Sequence, residues 1–238
     1  MRASLILFAL SFAVAAPAVA ETRNYSVEDF TRVRVDGPFR VTLTTGVPPF
    51  VRASGSGQAI ERVSVEVRSN TLIIHTSNSA WGGYPGVNPG PVTIEVGTHE
   101  LAGAALNGSG ALAIDRAKGL KFDFSVQGSG LGEIAQVNVD QLSLNLTGTA
   151  SARLAGDAGL VKASIRGMSA LDAGKLQMKD ATFITDGAAT IDAAVSNSAT
   201  VNAIGPATVR LTGTPSCTLH TSGSTAVSGC AGSHNLLN

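Results

Sequence analysis

The sequence predicts an all-β protein, a parallel β-solenoid (β-helix) with two strands per coil of about 18–20 residues, preceded by a β-rich N-terminal half. Three observations lead there. A glycine-centred motif recurs through the second half: Asn107-Gly108-Ser109-Gly110, Gln127-Gly128-Ser129-Gly130, Thr147-Gly148-Thr149-Ala150, Arg166-Gly167-Met168-Ser169 and Asp186-Gly187-Ala188-Ala189. Around each glycine, apolar residues alternate with variable ones, the two-residue period of a strand with one buried face. No window sustains the i, i+3, i+4, i+7 spacing of an amphipathic helix. A sandwich of antiparallel hairpins is the rival architecture, since glycine turns also suit hairpins. A register held over five units favours the solenoid.

From the N-terminus, residues 1–20 read as a secretory signal. Arg2 supplies the charge, Leu5 to Val14 the apolar stretch, and Ala18-Val19-Ala20 a small-x-small cleavage site before Glu21. The apolar stretch is too short to span a bilayer. No Cys follows the cleavage site, so no lipid anchor is expected there. The mature chain is expected in the periplasm, at the cell surface or in the medium.

Residues 21–100 form the β-rich N-terminal half. Thr31 to Asp36 and Phe39 to Thr45 alternate across Gly37-Pro38. Val63 to Arg68 and Thr71 to Thr76 alternate across Ser69-Asn70, a hairpin turn by composition. Asn78 to Gly90 is a loop by composition, and Pro91 to Val96 is one more strand.

Residues 101–238 hold the repeats. Before each glycine, Phe122, Phe124 and Val126 point one way and Asp123, Ser125 and Gln127 the other. Leu142, Leu144 and Leu146 repeat this against Ser143, Asn145 and Thr147, and Val161, Ala163 and Ile165 against Lys162, Ser164 and Arg166. Winding the chain places Leu144 above Phe124 and below Ala163. Downstream, Thr190, Thr200, Thr208 and Thr218 are separated alternately by ten and eight residues, and the inward residues shrink to Ala193, Ala199 and Ala203. The tube is expected to narrow there. These threonines read as one outward column of β-favouring residues; an ice-binding face would need two ranked columns.

Lys plus Arg number 17, as do Asp plus Glu, for a formal net charge of zero. Without a basic stripe, neither nucleic acid nor an anionic membrane is expected as partner. A protein or glycan of the cell envelope is, and solenoid ends could stack into oligomers. The Gly-Ser-Gly turns precede no helix, so they are not phosphate cradles. No cofactor or metal site is expected.

The order of elements resembles the head GIN domain family of auto-transporter adhesins. The resemblance is carried by Phe30-Thr31-Arg32-Val33-Arg34-Val35-Asp36-Gly37, Val41-Thr42-Leu43-Thr44-Thr45-Gly46, Val63 through Ile74, Val92-Thr93-Ile94-Glu95-Val96 and Leu106-Asn107-Gly108-Ser109-Gly110. It covers most of the chain and implies an exported, solenoid-like adhesin without transferable catalytic residues.

Four groups of residues are candidates for chemistry. Cys217 and Cys230 are the only cysteines, expected as a disulfide stapling the last coils; with His220 and His234 they could instead form a zinc-like set. Ser125, Asn145 and Ser164, with the corner residues Asn107, Gln127 and Thr147, form a polar outer wall for multivalent contact. Glu133, Arg153, Asp172 and Asp192 form an outward column, either a solvated charged face or the acid–base pair of a carbohydrate-active enzyme. Trp81 and Tyr84 lie in the glycine- and proline-rich loop, where aromatic rings could stack on a ligand or cap the tube. His75 and His99 have no evident partner. The expected function is non-enzymatic binding or structure at the envelope.

Overall fold

The computed structural model describes residues 21–77 and 90–235, of which 232–235 by backbone alone. The signal segment and the Trp81–Tyr84 loop therefore lie outside the described residues. Among the described residues eighteen elements follow in chain order: β1 (Glu21–Tyr25), β2 (Arg32–Asp36), β3 (Arg40–Thr45), β4 (Phe50–Gly55), α1 (Gly57–Glu61), β5 (Val63–Arg68), β6 (Thr71–Thr76), β7 (Thr93–Thr98) and β8 (Gly103–Gly108). Then come the long bent strands β9 (Ala111–Gly128), β10 (Leu131–Gly148), β11 (Ser151–Gly167), β12 (Ala170–Asp186) and β13 (Thr190–Ile204), and the shorter β14 (Thr208–Thr212), β15 (Ser216–Ser222), β16 (Ala226–Ser228) and β17 (Gly232–Asn235). All 17 strands among the described residues belong to one sheet, wound into a solenoid of about six turns.

The coil follows from the two-residue period. Leu144 pairs in parallel register with Phe124 on one side and with Ala163 on the other, and all three are buried. Paired residues along the chain stand 20, 20, 19, 20, 18 and 18 positions apart, from Ala111 through Leu131, Ser151, Ala170, Thr190, Thr208 and Ala226. Each coil has a pre-glycine wall and a post-glycine wall. A short third run joins them in the longer coils, with Ala117, Val137 and Leu176 turned inward. The last coils lose that run, and Ala193, Ala199 and Ala203 fill their interior.

The glycine corner repeats for a steric reason. Gly37, Gly108, Gly128, Gly148, Gly167, Gly187, Gly205 and Gly223 all have φ between +86° and +140°, which disfavours a side chain. They also stack directly. A Cβ on Gly128, Gly148, Gly167 or Gly187 would stand 2.5–2.7 Å from the carbonyl oxygen of the preceding glycine. The column thus runs three members beyond the five motifs read from sequence. One of them, Gly37, sits beneath Gly108, 71 residues away in sequence, and its carbonyl would be 3.2 Å from a Gly108 Cβ.

That contact marks the main departure from a simple winding. β2 and β3 flank the Gly37-Pro38 corner and do not pair with each other. β2 lies between β6 and β8, and β3 between β7 and β9, all in parallel. Residues 32–45 therefore form a rung inserted between later rungs. The N-terminal half thus supplies a rung of the solenoid as well as a cover for its edge. The cover is made by β4 and β1, antiparallel on the post-glycine edge, and by β5, antiparallel to β6. The β5–β6 hairpin turns at Ser69 and Asn70, both with positive φ (47° and 63°), as its composition predicts. The single turn of α1 was not foreseen; Ser56 caps it, accepting from the Ala59 amide at 3.3 Å.

At the other end, Cys217 and Cys230 form a disulfide. The zinc alternative is thereby excluded, because it requires both thiolates. The threonines fall in two columns rather than one. Thr190 pairs Thr208 on the post-glycine wall, and Thr200 pairs Thr218 on the other. The alternation of ten and eight residues carries the chain from wall to wall. His75 and His99 do have neighbours: His75 Nε2 is 3.7 Å from Glu66, and His99 Nε2 is 3.9 Å from Asp29.

Candidate functional site

The outward side chains of the pre-glycine wall line up in rows across the rungs. The middle row runs Ile73, Arg34, Ala105, Ser125, Asn145, Ser164 and Ile184. Ser125, Asn145 and Ser164, singled out from sequence, are thus immediate neighbours, about 4.8 Å apart from rung to rung. The row nearest the glycine corner runs Asp36, Asn107, Gln127, Thr147 and Arg166, so the corner residues also form one line. Within it the Asn107 amide donates to Asp36 Oδ1 at 2.6 Å. Between the rows, Thr147 Oγ1 donates to Asn145 Oδ1 at 3.5 Å.

One end of this wall is hollowed into a trough of about 470 Å³. Its floor is Gly103, Ala104 and Ala105, and its banks include Arg32, Arg34, Asp123, Ser125, Ser143 and Asn145. The small residues of β8 make the hollow, because the strands on either side carry longer side chains. Arg32 reaches across Gly103 to Asp123, two rungs away, with Nη2 3.2 Å from Oδ2. A Cβ on Gly103 would lie 3.1 Å from that guanidinium, so the glycine opens the path. Lys121 holds the other oxygen of Asp123 at 3.1 Å. Partial burial pushes the Asp123 carboxyl up, but the hydrogen bonds from Lys121 and Arg32, with their charges, outweigh it and hold the group below the ordinary carboxylate range. Arg34 uses its Nε on Asp36 at 2.9–3.0 Å; its terminal nitrogens have no partner among the described residues. Ser125 Oγ is covered by its surroundings yet has no hydrogen-bond partner.

The sequence reading missed Arg32, Arg34 and Asp123 as site residues. The alternation Arg32-Val33-Arg34 marks two cations on one strand face. Nothing local tells that this strand lies beside residues 103–108 and two rungs from 123–128.

The opposite wall brings the charged column together as expected: Glu133, Arg153, Asp172 and Asp192 pair in sequence, and Arg210 extends it. Glu133, Arg153 and Asp172 line a depression of about 260 Å³ with Lys175. All four are exposed, and Glu133 and Asp172 stand two rungs apart with Arg153 between them. No group of His, Cys, Asp and Glu suited to a metal is found among the described residues. Nor is any helix among them long and apolar enough to cross a membrane.

Comparison with known proteins places the chain. A family model described as putative auto-transporter adhesin, head GIN domain, matches residues 29–215, and the chain belongs to that family. A crystal structure of a putative adhesin from Bacteroides fragilis NCTC 9343 superposes with a TM-score of 0.79 at 20% identity, covering 87% of this chain and 95% of that one. A putative lipid binding protein from Parabacteroides distasonis ATCC 8503 gives 0.64 at 16%, and a putative adhesin from Parabacteroides merdae ATCC 43184 gives 0.63 at 14%, both with the same two coverages. At these identities the likeness is one of fold. None of the curated proteins matches the chain significantly.

Proposed function

We propose that this head GIN domain protein is an exported, non-enzymatic recognition module of the cell envelope, and that its contact surface is the pre-glycine wall. The observation that carries the reading is the rung-by-rung alignment of Ser125, Asn145 and Ser164 beside Asn107, Gln127 and Thr147. A rigid ladder of hydroxyls and amides lets a repeating ligand make many weak contacts at once. The affinities of such contacts compound because each one positions the next. Membership of an adhesin family and the signal-like residues 1–20 support export. The Trp81 and Tyr84 loop remains a candidate second contact.

The runner-up is a carbohydrate-active enzyme working on the Glu133 to Asp192 column, in the depression that holds Glu133, Arg153 and Asp172. Binding is favoured because those three side chains are open to solvent. An acid–base pair works from a closed site or from two carboxylates set against each other, whereas here Arg153 parts Glu133 from Asp172, and the adjacent Asp172 and Asp192 lie between Arg153 and Arg210.

The test is a binding screen of the purified chain against envelope polysaccharides and extracellular proteins, followed by two blocking variants. Asn145→Trp, on the proposed wall, should weaken any interaction found by at least about tenfold. Glu133→Trp, on the opposite wall, should leave it unchanged. Undiminished binding by Asn145→Trp would move the contact surface elsewhere.

A further inference from the structure

Building on that reading of the pre-glycine wall, we propose that its ligand is a linear acidic glycan laid along the solenoid axis, with carboxylates held by Arg34 at one end and by Lys162 and Arg166 at the other. Two carboxylates of the wall are already engaged by the protein itself. Asp123 is neutralised by Arg32 and Lys121. Asp36 takes Arg34 Nε and the Asn107 amide. Neither carboxylate is left to repel an anion. Arg34, by contrast, has its terminal nitrogens unengaged among the described residues, and the Asp36 contact holds its fork over the trough. A guanidinium fixed in this way is suited to a carboxylate, which it can hold through two parallel hydrogen bonds.

Lys162 and Arg166 are exposed on β11 and form no ion pair among the described residues; Asp186 on β12 is the rung neighbour of Arg166, beyond the stretch from Arg34 to β11. Arg34 and β11 are separated by four rung steps, through β8, β9 and β10, or about 19 Å at 4.8 Å per rung. The interval between them presents Ser143, Asn145, Gln127 and Thr147, which are hydroxyls and amides without charge. The surface therefore reads as cation, uncharged polar interval, cation, at regular steps. That pattern matches a polyol chain carrying carboxylates at intervals. An acidic peptide fits less well, because it would need apolar anchors. The exposed large apolar side chains, Phe50, Leu120, Met168, Ile184 and Ile204, all lie outside these two rows between β2 and β11.

Calorimetry of the purified chain with a hexasaccharide of alternating glucuronate and N-acetylglucosamine, whose carboxylates recur on every second sugar, and with its methyl ester tests this. The acid form should bind, should weaken as salt rises, and should exceed the ester by about tenfold or more. Arg34→Gln and Arg166→Gln should each weaken the acid form about tenfold while leaving the ester unaffected. Arg210→Gln, on the opposite wall, should change neither. Ser143→Ala should weaken both forms without lowering the melting temperature, which separates a ligand contact from a structural role. Equal binding of acid and ester, no binding of either, tighter binding of oligoglutamate, or an equal loss in Arg210→Gln would each overturn the acidic-glycan inference. If the ester binds as well as the acid and Asn145→Trp abolishes both, the wall stands and only the acidic ligand falls. If Asn145→Trp leaves acid binding intact, the wall itself is wrong.

Discussion

The N-terminal and C-terminal stretches of the solenoid are built from the same rung but assembled by different rules. From Ala111 to Ser228 each coil lies on the one before it in sequence, so stacking needs only closure of an 18- to 20-residue loop. Between Arg32 and Gly108, stacking order and chain order disagree. The rung formed by β2 and β3 waits for β6 and β7 on one side and for β8 and β9 on the other. The contrast teaches that a repeat fold can be local in one part and non-local in another. A defect in the C-terminal coils should stay near its site, as expected for a one-dimensional array. Every inner rung has two neighbours, but those of the inserted rung start at Thr71 and Gly103, 39 and 71 residues from Arg32, so a defect there reaches segments distant in the chain.

The largest expected effect tests this directly. Val35 on β2 and Val209 on β14 are both fully buried. Val35→Asp places an unpaired charge between two rungs and should cost about 3–5 kcal/mol, with protection lost across the whole sheet in hydrogen exchange. Val209→Asp should cost a similar amount locally, yet leave β2 through β10 protected. Identical exchange patterns in the two variants would erase the distinction between the halves.

Next in size is the disulfide. Its loop separation of 13 residues corresponds to roughly 3 kcal/mol of chain entropy. The double variant Cys217→Ser, Cys230→Ser should lose about that much from the last coils. Exchange should quicken in β14 through β17, while the N-terminal rungs remain as in the native chain. Global loss of protection would mean the two ends are more tightly coupled than the winding implies.

The smallest effect lies at the seam. Asp123 on β9 is held by Arg32 on the inserted strand, and its folded-state affinity for protons is lowered. Its contribution is therefore complete above the ordinary carboxylate value, near pH 4, and disappears as pH falls through the lower folded-state value. Because both partners are partly exposed, it should amount to less than about 1 kcal/mol. Denaturation curves of Asp123→Asn should lie below the native chain at neutral pH and converge with it in acid. A constant difference at every pH would remove the charge pairing as the cause.

Much of this was legible in sequence because the signals are local. Phe122-x-Phe124-x-Val126 and Leu142-x-Leu144-x-Leu146 specify a buried face by period alone, and the corner glycines fix where the chain turns. The outer rows of the candidate site follow from that register, which is why Ser125, Asn145 and Ser164 fall together. The trough was not legible. Arg32 and Gly103 are 71 residues apart, and their adjacency depends on which rung inserts where. The third run through Ala117, Val137 and Leu176 was missed because a two- or three-residue stretch carries too short a period to read.

By itself, then, the amino-acid order determined the rung: its length, its inward and outward residues, and the corner at which only glycine fits beneath another glycine's carbonyl. Tertiary structure alone decided the stacking order at the N-terminal end, and with it the trough and its paired charges. The reason is physical. Burial and backbone geometry act on neighbours in the chain. The choice of partner for an open strand edge is a competition among distant segments, settled only when all of them are present to pair.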